Sequence, residues 1–161
     1  MSERGELTHV DEAGAARMVD VSGKEITSRA AVASGVLRTT AEVVELLRRD
    51  GLPKGDALAT ARIAGIMGAK RTPDLVPLCH PIALSGVKLD LALGESEVVI
   101  TATVRTTDRT GVEMEALTAV AVAGLTLHDM VKAVDPAAVL DAVRVDRKEG
   151  GKTGLWTRPQ P

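Results

Sequence analysis

The chain has 161 residues, of which 45% are hydrophobic and 26% are charged, and its formal net charge is −2. These values predict a single soluble globular domain over residues 1–161 and disfavour a general nucleic-acid-binding protein, which is usually basic. Cys79 is the only cysteine, which excludes an internal disulfide framework. The sequence shows no apolar signal region near its start and no run of about 20 apolar residues. We therefore expect a cytoplasmic protein that has no membrane partner.

Trp156 is the only residue of the Phe, Tyr and Trp class in the chain. The core must therefore be built from Ala, Val, Leu, Ile and Met, whose smaller side chains bury less apolar area each. We expect close backbone packing or contacts between subunits to supply the rest. The same scarcity excludes sites that stack nucleic-acid bases on aromatic rings.

In the first third of the chain, the sequence predicts a polar N-terminal segment, two strands and the start of a helix. Residues 1–16 are polar and expected to be mobile, residues 17–21 alternate briefly as a short strand does, and residues 27–38 have the composition of a longer strand. Thr39 and Glu42 have the capping-box spacing, which predicts that a helix begins at Thr39.

Glycine and proline residues set the predicted ends of the helices in the next segment. Residues 51–53 (Gly-Leu-Pro) are expected to end the first helix, and a second helix is predicted over residues 56–70. Its many Ala and Gly residues permit close approach of another element. Three later prolines cannot continue a helix and predict an extended, stiff loop: Pro73, Pro77 and Pro81.

A hairpin and a long helix are predicted in the second half. Residues 86–93 and 97–105 both alternate with period two, and residues 94–96 form the turn between them. Thr110 is the candidate N-cap of a helix over residues 111–134.

The remaining pattern fixes the expected fold class. A strand is predicted over residues 139–146, and residues 149–161 are expected to be mobile. The order of one strand, two helices, two strands, one helix and one strand is typical of the ferredoxin-like α+β sandwich, with an antiparallel sheet packed against helices. The helix over residues 111–134 is apolar on more than one side, which suggests that a second copy of the chain covers it.

Two carboxylates, Glu113 and Glu115, fall in the first turn of the long helix. Acidic residues in this place complement the helix dipole without any further role. The alternative is that one of them binds the amino groups of a ligand, and the spacing alone leaves both interpretations open.

The segment Leu78-Cys79-His80 lies in the proline-rich loop. Neighbouring residues rarely bind the same metal ion, and no CxxC or HxxxH partner is present, so we predict no metal site. His80 on a stiff loop could donate a hydrogen bond or transfer a proton, and a purely structural histidine is an equal alternative.

Asp129 and Lys132 are three positions apart on the long helix and can touch. They form either an exposed ion pair with little effect on stability or an acid/base pair whose lysine is shifted by burial and charge. His128 points about 100° away around the helix and is interpreted as a bystander.

Lysines in glycine-rich surroundings suggest phosphate binding. Residues 151–153 (Gly-Lys-Thr) imitate a P-loop, but Asp146 stands where that motif needs glycine and the segment does not open a helix. A P-loop is therefore rejected, although Lys148 and Lys152 remain suited to closing over phosphates. Lys54 offers a further cation just before a helix start.

Spacing along the long helix constrains the site. Glu115 and Asp129 are 14 positions apart, which corresponds to roughly 21 Å. One small ligand could hardly touch both from a single chain. We therefore hypothesise a composite site between two copies that pack this helix antiparallel.

Several long segments together resemble the MoaC family of cyclic pyranopterin monophosphate synthases, and they cover nearly the whole chain. They are LTHVDEAGAARMVDVSGKE at residues 7–25, KGDALATARIAGIMGAKRTPDLVPLCHP at 54–81, GVEMEALTAVAVAGLTLHDMVKAV at 111–134 and the KEGGK tail at 148–152.

The resemblance implies a ferredoxin-like subunit, a homohexamer arranged as a trimer of dimers, and a site between subunits. It further implies a lyase of molybdenum cofactor (molybdopterin) biosynthesis. The expected reaction converts (8S)-3′,8-cyclo-7,8-dihydroguanosine 5′-triphosphate to cyclic pyranopterin monophosphate and releases pyrophosphate. The sequence shows no required cofactor, although Mg²⁺ could accompany the triphosphate.

The resemblance also assigns roles to residues. Asp129 matches the catalytic acid/base of the family, with Lys132 beside it. The positions that match substrate-binding segments are Leu78, Cys79, His80, Met114, Glu115, Lys54, Glu113, Lys148 and Lys152. Glu149, where a small residue is usual, and His128, where an aromatic one is expected, depart from the family pattern. The competing class is a small-molecule-binding module that performs no chemistry.

Overall fold

A computed structural model of the chain describes residues 8–52 and 54–161. This part of the chain contains five strands and four helices. In chain order, their bounds are β1 Thr27–Arg38, α1 Ala41–Arg48, α2 Ala57–Lys70, α3 Thr72–Leu75, β2 Leu84–Leu93, β3 Glu97–Asp108, α4 Glu113–Val131, β4 Val139–Glu149 and β5 Trp156–Thr157.

The strands form one antiparallel sheet in the order β2-β3-β1-β4-β5. β1 and β3 pair along their whole length, from Thr27 opposite Asp108 to Arg38 opposite Glu97. β2 and β3 form the predicted hairpin, and β4 lies on the other side of β1 with two register shifts. The helices α2 and α4 pack on the sheet. The prediction of a ferredoxin-like α+β sandwich is confirmed.

Period-two alternation decides which face of the sheet is buried. On β1, Ala31, Ala33, Gly35 and Leu37 are buried, while the residues that alternate with them, at positions 32, 34 and 36, are more exposed. The same alternation on β3 buries four apolar side chains and one hydroxyl: Val98, Ile100, Ala102, Val104 and Thr106. These side chains meet the buried faces of α1, α2 and α4 in one hydrophobic cluster.

Small residues bring α2 and α4 into close contact. A Cβ atom added at Gly65 would lie 2.9 Å from the carbonyl oxygen of Ala119, and one added at Gly68 would lie 2.8 Å from the Val122 side chain. Both contacts are too short for a real Cβ atom, so glycine is required there. This packing explains how a core almost free of aromatic rings is filled.

The helix α4 is long and apolar enough to cross a membrane by length and composition alone. However, 56% of its most apolar window is buried inside the fold. The buried set includes Ala116, Val120, Ala123 and Leu127, which face the sheet and α2. This burial is typical of the central helix of a globular domain.

The start of α1 differs from the prediction by one residue. Thr40, not Thr39, is the N-cap, and its Oγ1 accepts a hydrogen bond from the backbone N–H of Val43. The Thr39 hydroxyl instead donates to the Asp135 carboxylate at 2.8 Å, which removes it from the cap. The long-range bond with Asp135 could not be read from local spacing.

The predicted N-cap of the long helix is also wrong. α4 begins at Glu113, and the residue in the cap position is Val112, which makes no side-chain cap bond. Val112 is buried in the core, so the helical turn begins after this anchor. Thr110 lies further out, where it lines a cavity.

Two further local predictions fail. Residues 17–21 form no strand, since the nearby pairing is a single bridge between Val10 and Ala16. The loop predicted from the proline series is interrupted by α3, because Pro73 sits in the first turn of that helix, where its missing N–H is not needed. Extended backbone follows only after α3.

The predictions for the two ends of the chain concern mobility, and part of them falls on residues that the structure does not describe. Residues 1–7 and Pro53, which carried part of the predicted tail and helix stop, lie outside the described residues. The mobility of residues 8–16 and 149–161 stays a prediction. The second of these segments contains β5, which the sequence did not indicate.

Candidate active site

Three charged side chains meet where the start of α2 lies beside the end of α4. Lys132 Nζ lies 2.7 Å from Asp129 Oδ1, and Lys54 Nζ lies 2.7 Å from Asp129 Oδ2. Both carboxylate oxygens therefore hold an ammonium group, and all three side chains are about half exposed. We call Lys54, Asp129 and Lys132 the charged triad. The predicted contact of Asp129 with Lys132 is confirmed, and Lys54 joins it.

The triad fixes the protonation of its carboxylate. Hydrogen bonds first from Lys132 and then from Lys54 lower the pKa of Asp129 to about 2. Asp129 is thus ionised at neutral pH and has no proton to donate. In this geometry the Asp129 carboxylate accepts hydrogen bonds from both ammonium groups and orients them.

A cavity of about 750 Å³ lies at the opposite end of α4. Its lining comes from the segment before β1, the start of α4 and the turn after β4, and it includes Lys24, Arg29, Glu113, Lys148, Gly151 and Lys152. The Glu113 carboxylate forms an ion pair with Lys148, whose Nζ lies 3.1 Å from Oε1. The lining carries four cationic side chains and three carboxylates, the latter being Glu25, Glu113 and Glu149. Glu113 is paired with Lys148, and Glu149 is paired with Arg147 from outside the lining, so the remaining cations outnumber the one remaining carboxylate, which favours an anionic ligand.

Glycine allows the turn after β4 to approach β1. Gly150 and Gly151 both have positive φ angles, and a Cβ atom on Gly151 would overlap the guanidinium of Arg29. Arg29 is itself held by a 3.0 Å bond from its Nε to the Asp108 carbonyl. The turn thus lies directly over a fixed arginine.

Glu115 lies on the buried side of α4, with 3% of its surface exposed. Burial, followed by the nearby charge of Glu113, raises the pKa of Glu115 to about 7. A side chain that serves only the helix dipole is normally exposed, so burial favours the ligand-binding interpretation of Glu115 over the dipole one.

Ionisation of Glu115 is expected to weaken the fold as the pH rises. The folded chain holds the Glu115 proton more tightly than the unfolded chain does, whose pKa is near 4.5. The free energy of unfolding should therefore fall between about pH 4.5 and 7 and level off above. The Glu115→Gln variant should be more stable than wild type by about 1 to 2 kcal/mol at pH 8 and should lose this pH dependence.

Urea unfolding of both proteins from pH 4.5 to 8.5 measures the difference. The control is Glu95→Gln, because Glu95 lies in the exposed turn between β2 and β3. A wild-type stability that rises from pH 5 to 7 after subtraction of that control would contradict the prediction.

Cys79 and His80 approach the same end of α4 from the loop after α3. Burial raises the pKa of the Cys79 thiol, and the charge of Glu115 raises it further, which places the two side chains near each other. His80 Nε2 donates to the Val19 carbonyl at 2.6 Å. That bond joins the segment before β1 to the loop after α3, so His80 has a structural role within a single chain.

The predicted site residues therefore fall into two groups. One is the charged triad, and the other lies toward the start of α4. In the second group Glu113, Lys148 and Lys152 line the cavity, Met114 and Glu115 belong to the first turn of α4, and Cys79 lies near Glu115. Leu78 and His80 are the chain neighbours of Cys79 and do not line the cavity. A single chain does not join the groups, since they lie at opposite ends of α4. Lys24 and Arg29 were missed by the sequence reasoning, although a basic residue on each side of the β1 start was a usable signal.

Metal-ligand chemistry is sparse in this region. Within residues 8–52 and 54–161, no three His, Cys, Asp or Glu side chains are arranged to hold a metal ion. A divalent cation that accompanies a triphosphate would be bound mainly by the phosphate oxygens. The expectation for Mg²⁺ stays a prediction.

Comparison with known proteins shows the family of this sequence. The sequence pattern of the MoaC family matches residues 18–151, which include both groups of site residues except Lys152. The chain belongs to the MoaC family.

Curated relatives agree with this assignment. The chain is 73% identical over 152 residues to the cyclic pyranopterin monophosphate synthase of Streptomyces coelicolor, covering 94% of this chain and 89% of the relative. It is 66% identical to cyclic pyranopterin monophosphate synthase 2 of Mycobacterium tuberculosis, with 96% and 92% covered. The synthase of Corynebacterium glutamicum is 58% identical, with 94% and 97% covered. These MoaC proteins share length as well as sequence with this chain.

Proposed function

We propose that this chain is a cyclic pyranopterin monophosphate synthase, a lyase of molybdenum cofactor biosynthesis. The observation that carries the proposal is 73% identity to a synthase of that name across nearly the whole chain. The substrate is (8S)-3′,8-cyclo-7,8-dihydroguanosine 5′-triphosphate, and the products are cyclic pyranopterin monophosphate and pyrophosphate. The reaction takes place in the cytoplasm, as expected from the sequence.

The two groups of side chains match two parts of this substrate. A triphosphate needs cations, which Lys148, Lys152 and Arg29 supply around the cavity. The guanine-derived ring carries amino groups, which need a carboxylate acceptor such as Glu115. Loop lysines would also stabilise the charge of the departing pyrophosphate.

The charged triad supports the proton transfers of the reaction. Ring opening and closing and the attack of a hydroxyl oxygen on phosphorus all move protons without a redox step. Lys132 and Lys54 carry transferable protons, and the Asp129 carboxylate holds both ammonium groups at 2.7 Å. In this role Asp129 positions the donors, and the lysines act on the substrate.

We further propose that a complete site forms between two copies of the chain. Glu115 and Asp129 are separated by roughly 21 Å along α4, which is too far for one small substrate. The outer faces of α2 and α4 expose large apolar side chains that a second copy would cover: Ile63, Met67 and Leu125. An antiparallel pairing of the two α4 helices would bring each triad to the partner's cavity, and three such dimers would form the expected hexamer.

Mixing two inactive variants tests this arrangement. Asp129→Asn and Glu115→Gln chains should each lose turnover, whereas unfolding and refolding them together should restore up to about a quarter of the wild-type turnover. This gain arises because some mixed sites receive both intact residues. Pyrophosphate release measures the gain, and each variant refolded alone is the control. No recovery in chains shown to have mixed would contradict a site shared between copies.

Turnover itself is tested with the purified chain and the cyclised nucleotide. Release of one pyrophosphate per cyclic pyranopterin monophosphate is the expected result, measured by coupled phosphate detection and mass spectrometry. Parallel reactions with Mg²⁺ and with a chelator test the cation expectation. Tight binding of the nucleotide with no product would instead identify a binding module without chemistry.

A further inference from the structure

The chain turns back along β4 after the glycine-rich turn. Trp156 and Thr157 form β5, which pairs with Lys148 and Arg147 of β4. β5 is only two residues long, and Leu155 and Trp156 are exposed to solvent. Apolar burial therefore contributes little to holding this hairpin closed.

Arg158 makes three contacts at the base of the hairpin, two of them through its side chain. Its backbone N–H donates to the Asp146 carbonyl at 2.8 Å, and its Nε donates to the Val145 carbonyl at 2.6 Å. The guanidinium also lies 5.8 Å from the ring centroid of Trp156, within the range of a cation–π contact. One side chain thus joins β4 to the ring that follows the turn.

The turn that this base closes carries the cavity lysines. Gly150, Gly151 and Gly154 have positive φ angles, so the turn has unusual conformational freedom to lose. Lys148 precedes these glycines and Lys152 lies among them, and both line the cavity. Fixing the two ends of such a turn removes many conformations in which the lysines face away.

We propose that Arg158 is a positioning residue for the polyphosphate part of the substrate. It does not line the cavity, and it acts by holding β5 on β4 so that Lys148 and Lys152 stay at the cavity wall. The choice of a polyphosphate rests on the proposed function. The contacts of Arg158 with β4 and Trp156 are independent of that function.

The test compares Arg158→Ala, Arg158→Lys and wild type, with Arg48→Ala as the matched control. Arg48 is likewise an exposed arginine; it lies on α1, is paired with Glu45 and does not line the cavity. Three quantities are measured: KM and kcat for the cyclised nucleotide, the Kd of inorganic tripolyphosphate by calorimetry, and the emission maximum of Trp156. Because Trp156 is the only aromatic residue of its class, this emission reports on the hairpin alone.

For Arg158→Ala we expect a red-shifted emission, a rise of about tenfold in KM and in the tripolyphosphate Kd, and a kcat within about twofold of wild type. Arg158→Lys retains the cation over the ring and one donor, so its KM should stay within about threefold of wild type. Arg48→Ala should change none of the three quantities.

Unchanged KM and Kd in Arg158→Ala despite a red-shifted emission would overturn the proposal, and so would a loss confined to kcat. A wild-type chain that fails to bind tripolyphosphate would overturn it as well. If wild type binds tripolyphosphate but releases no pyrophosphate, the proposed function fails while the calorimetric comparison still decides the role of Arg158.

Discussion

Replacing Asp129 with Asn is expected to lower kcat by about 10³-fold, in the range for loss of acid–base assistance. The amide has almost the shape of the carboxylate but carries no charge, and its NH2 group cannot accept a hydrogen bond. One of the two ammonium groups now held at 2.7 Å, Lys54 or Lys132, would then lose its acceptor. The substrate KM should change by less than about tenfold, since the residues around the cavity remain.

Asp90→Asn is the matched control for this variant. Asp90 is an exposed carboxylate on β2 that also holds a lysine, with Lys88 Nζ at 3.1 Å, but it lies outside both groups of site residues. Its kcat and KM should equal those of wild type. An Asp129→Asn chain that keeps more than a third of wild-type kcat would contradict the role given to the triad.

Replacing Gly65 with Ala is expected to lower the free energy of unfolding by about 2 to 3 kcal/mol. The new Cβ would lie 2.5 Å from the Leu89 side chain and 2.9 Å from the Ala119 carbonyl oxygen. The second contact is with backbone, so α2 and α4 would have to separate. Alanine is a better helix former than glycine by about 1 kcal/mol, and this gain is too small to reverse the sign.

Urea unfolding of Gly65→Ala and of Gly86→Ala separates crowding from the change of residue type. A Cβ atom at Gly86 would meet no atom within 4 Å, and its φ angle is ordinary, so this variant should lie within about 0.5 kcal/mol of wild type. Equal stabilities of the two variants would show that the α2–α4 contact can relax.

Hydrophobic periodicity was sufficient to predict most of the fold. The alternation in β3 and the apolar pattern of α4 each reflect a face that is buried along most of its length, whereas β2, at the edge of the sheet, buries only Leu89. Predictions failed where a distant residue decides a local detail. The Thr39 hydroxyl binds Asp135, and residues 17–21 offer a carbonyl to His80 and form no strand. No local pattern contains these partners.

The candidate site could be predicted only in part for the same reason. Asp129 and Lys132 are one helical turn apart, so their contact follows from spacing alone. Lys54 reaches the same carboxylate from 75 positions away, through the packing of α2 on α4. Resemblance to a family placed Lys54 at the site, whereas spacing offered only a cation before a helix. Arg29 and Lys24 enter the cavity through the pairing of β1 with its neighbours, which depends on the tertiary fold.

The glycine contacts between α2 and α4 also bear on how the charged triad works. Lys54 stands just before α2, and Asp129 and Lys132 stand at the end of α4, so the spacing of these groups is set by two helices that touch at backbone distance. Helices in such contact have little room to slide or tilt. The close contact between α2 and α4 therefore fixes the backbone positions of the triad residues, although their side chains are about half exposed to solvent. In the proposed reaction, groups held in this way would need little rearrangement when substrate arrives, which is where much of an enzyme's rate advantage originates.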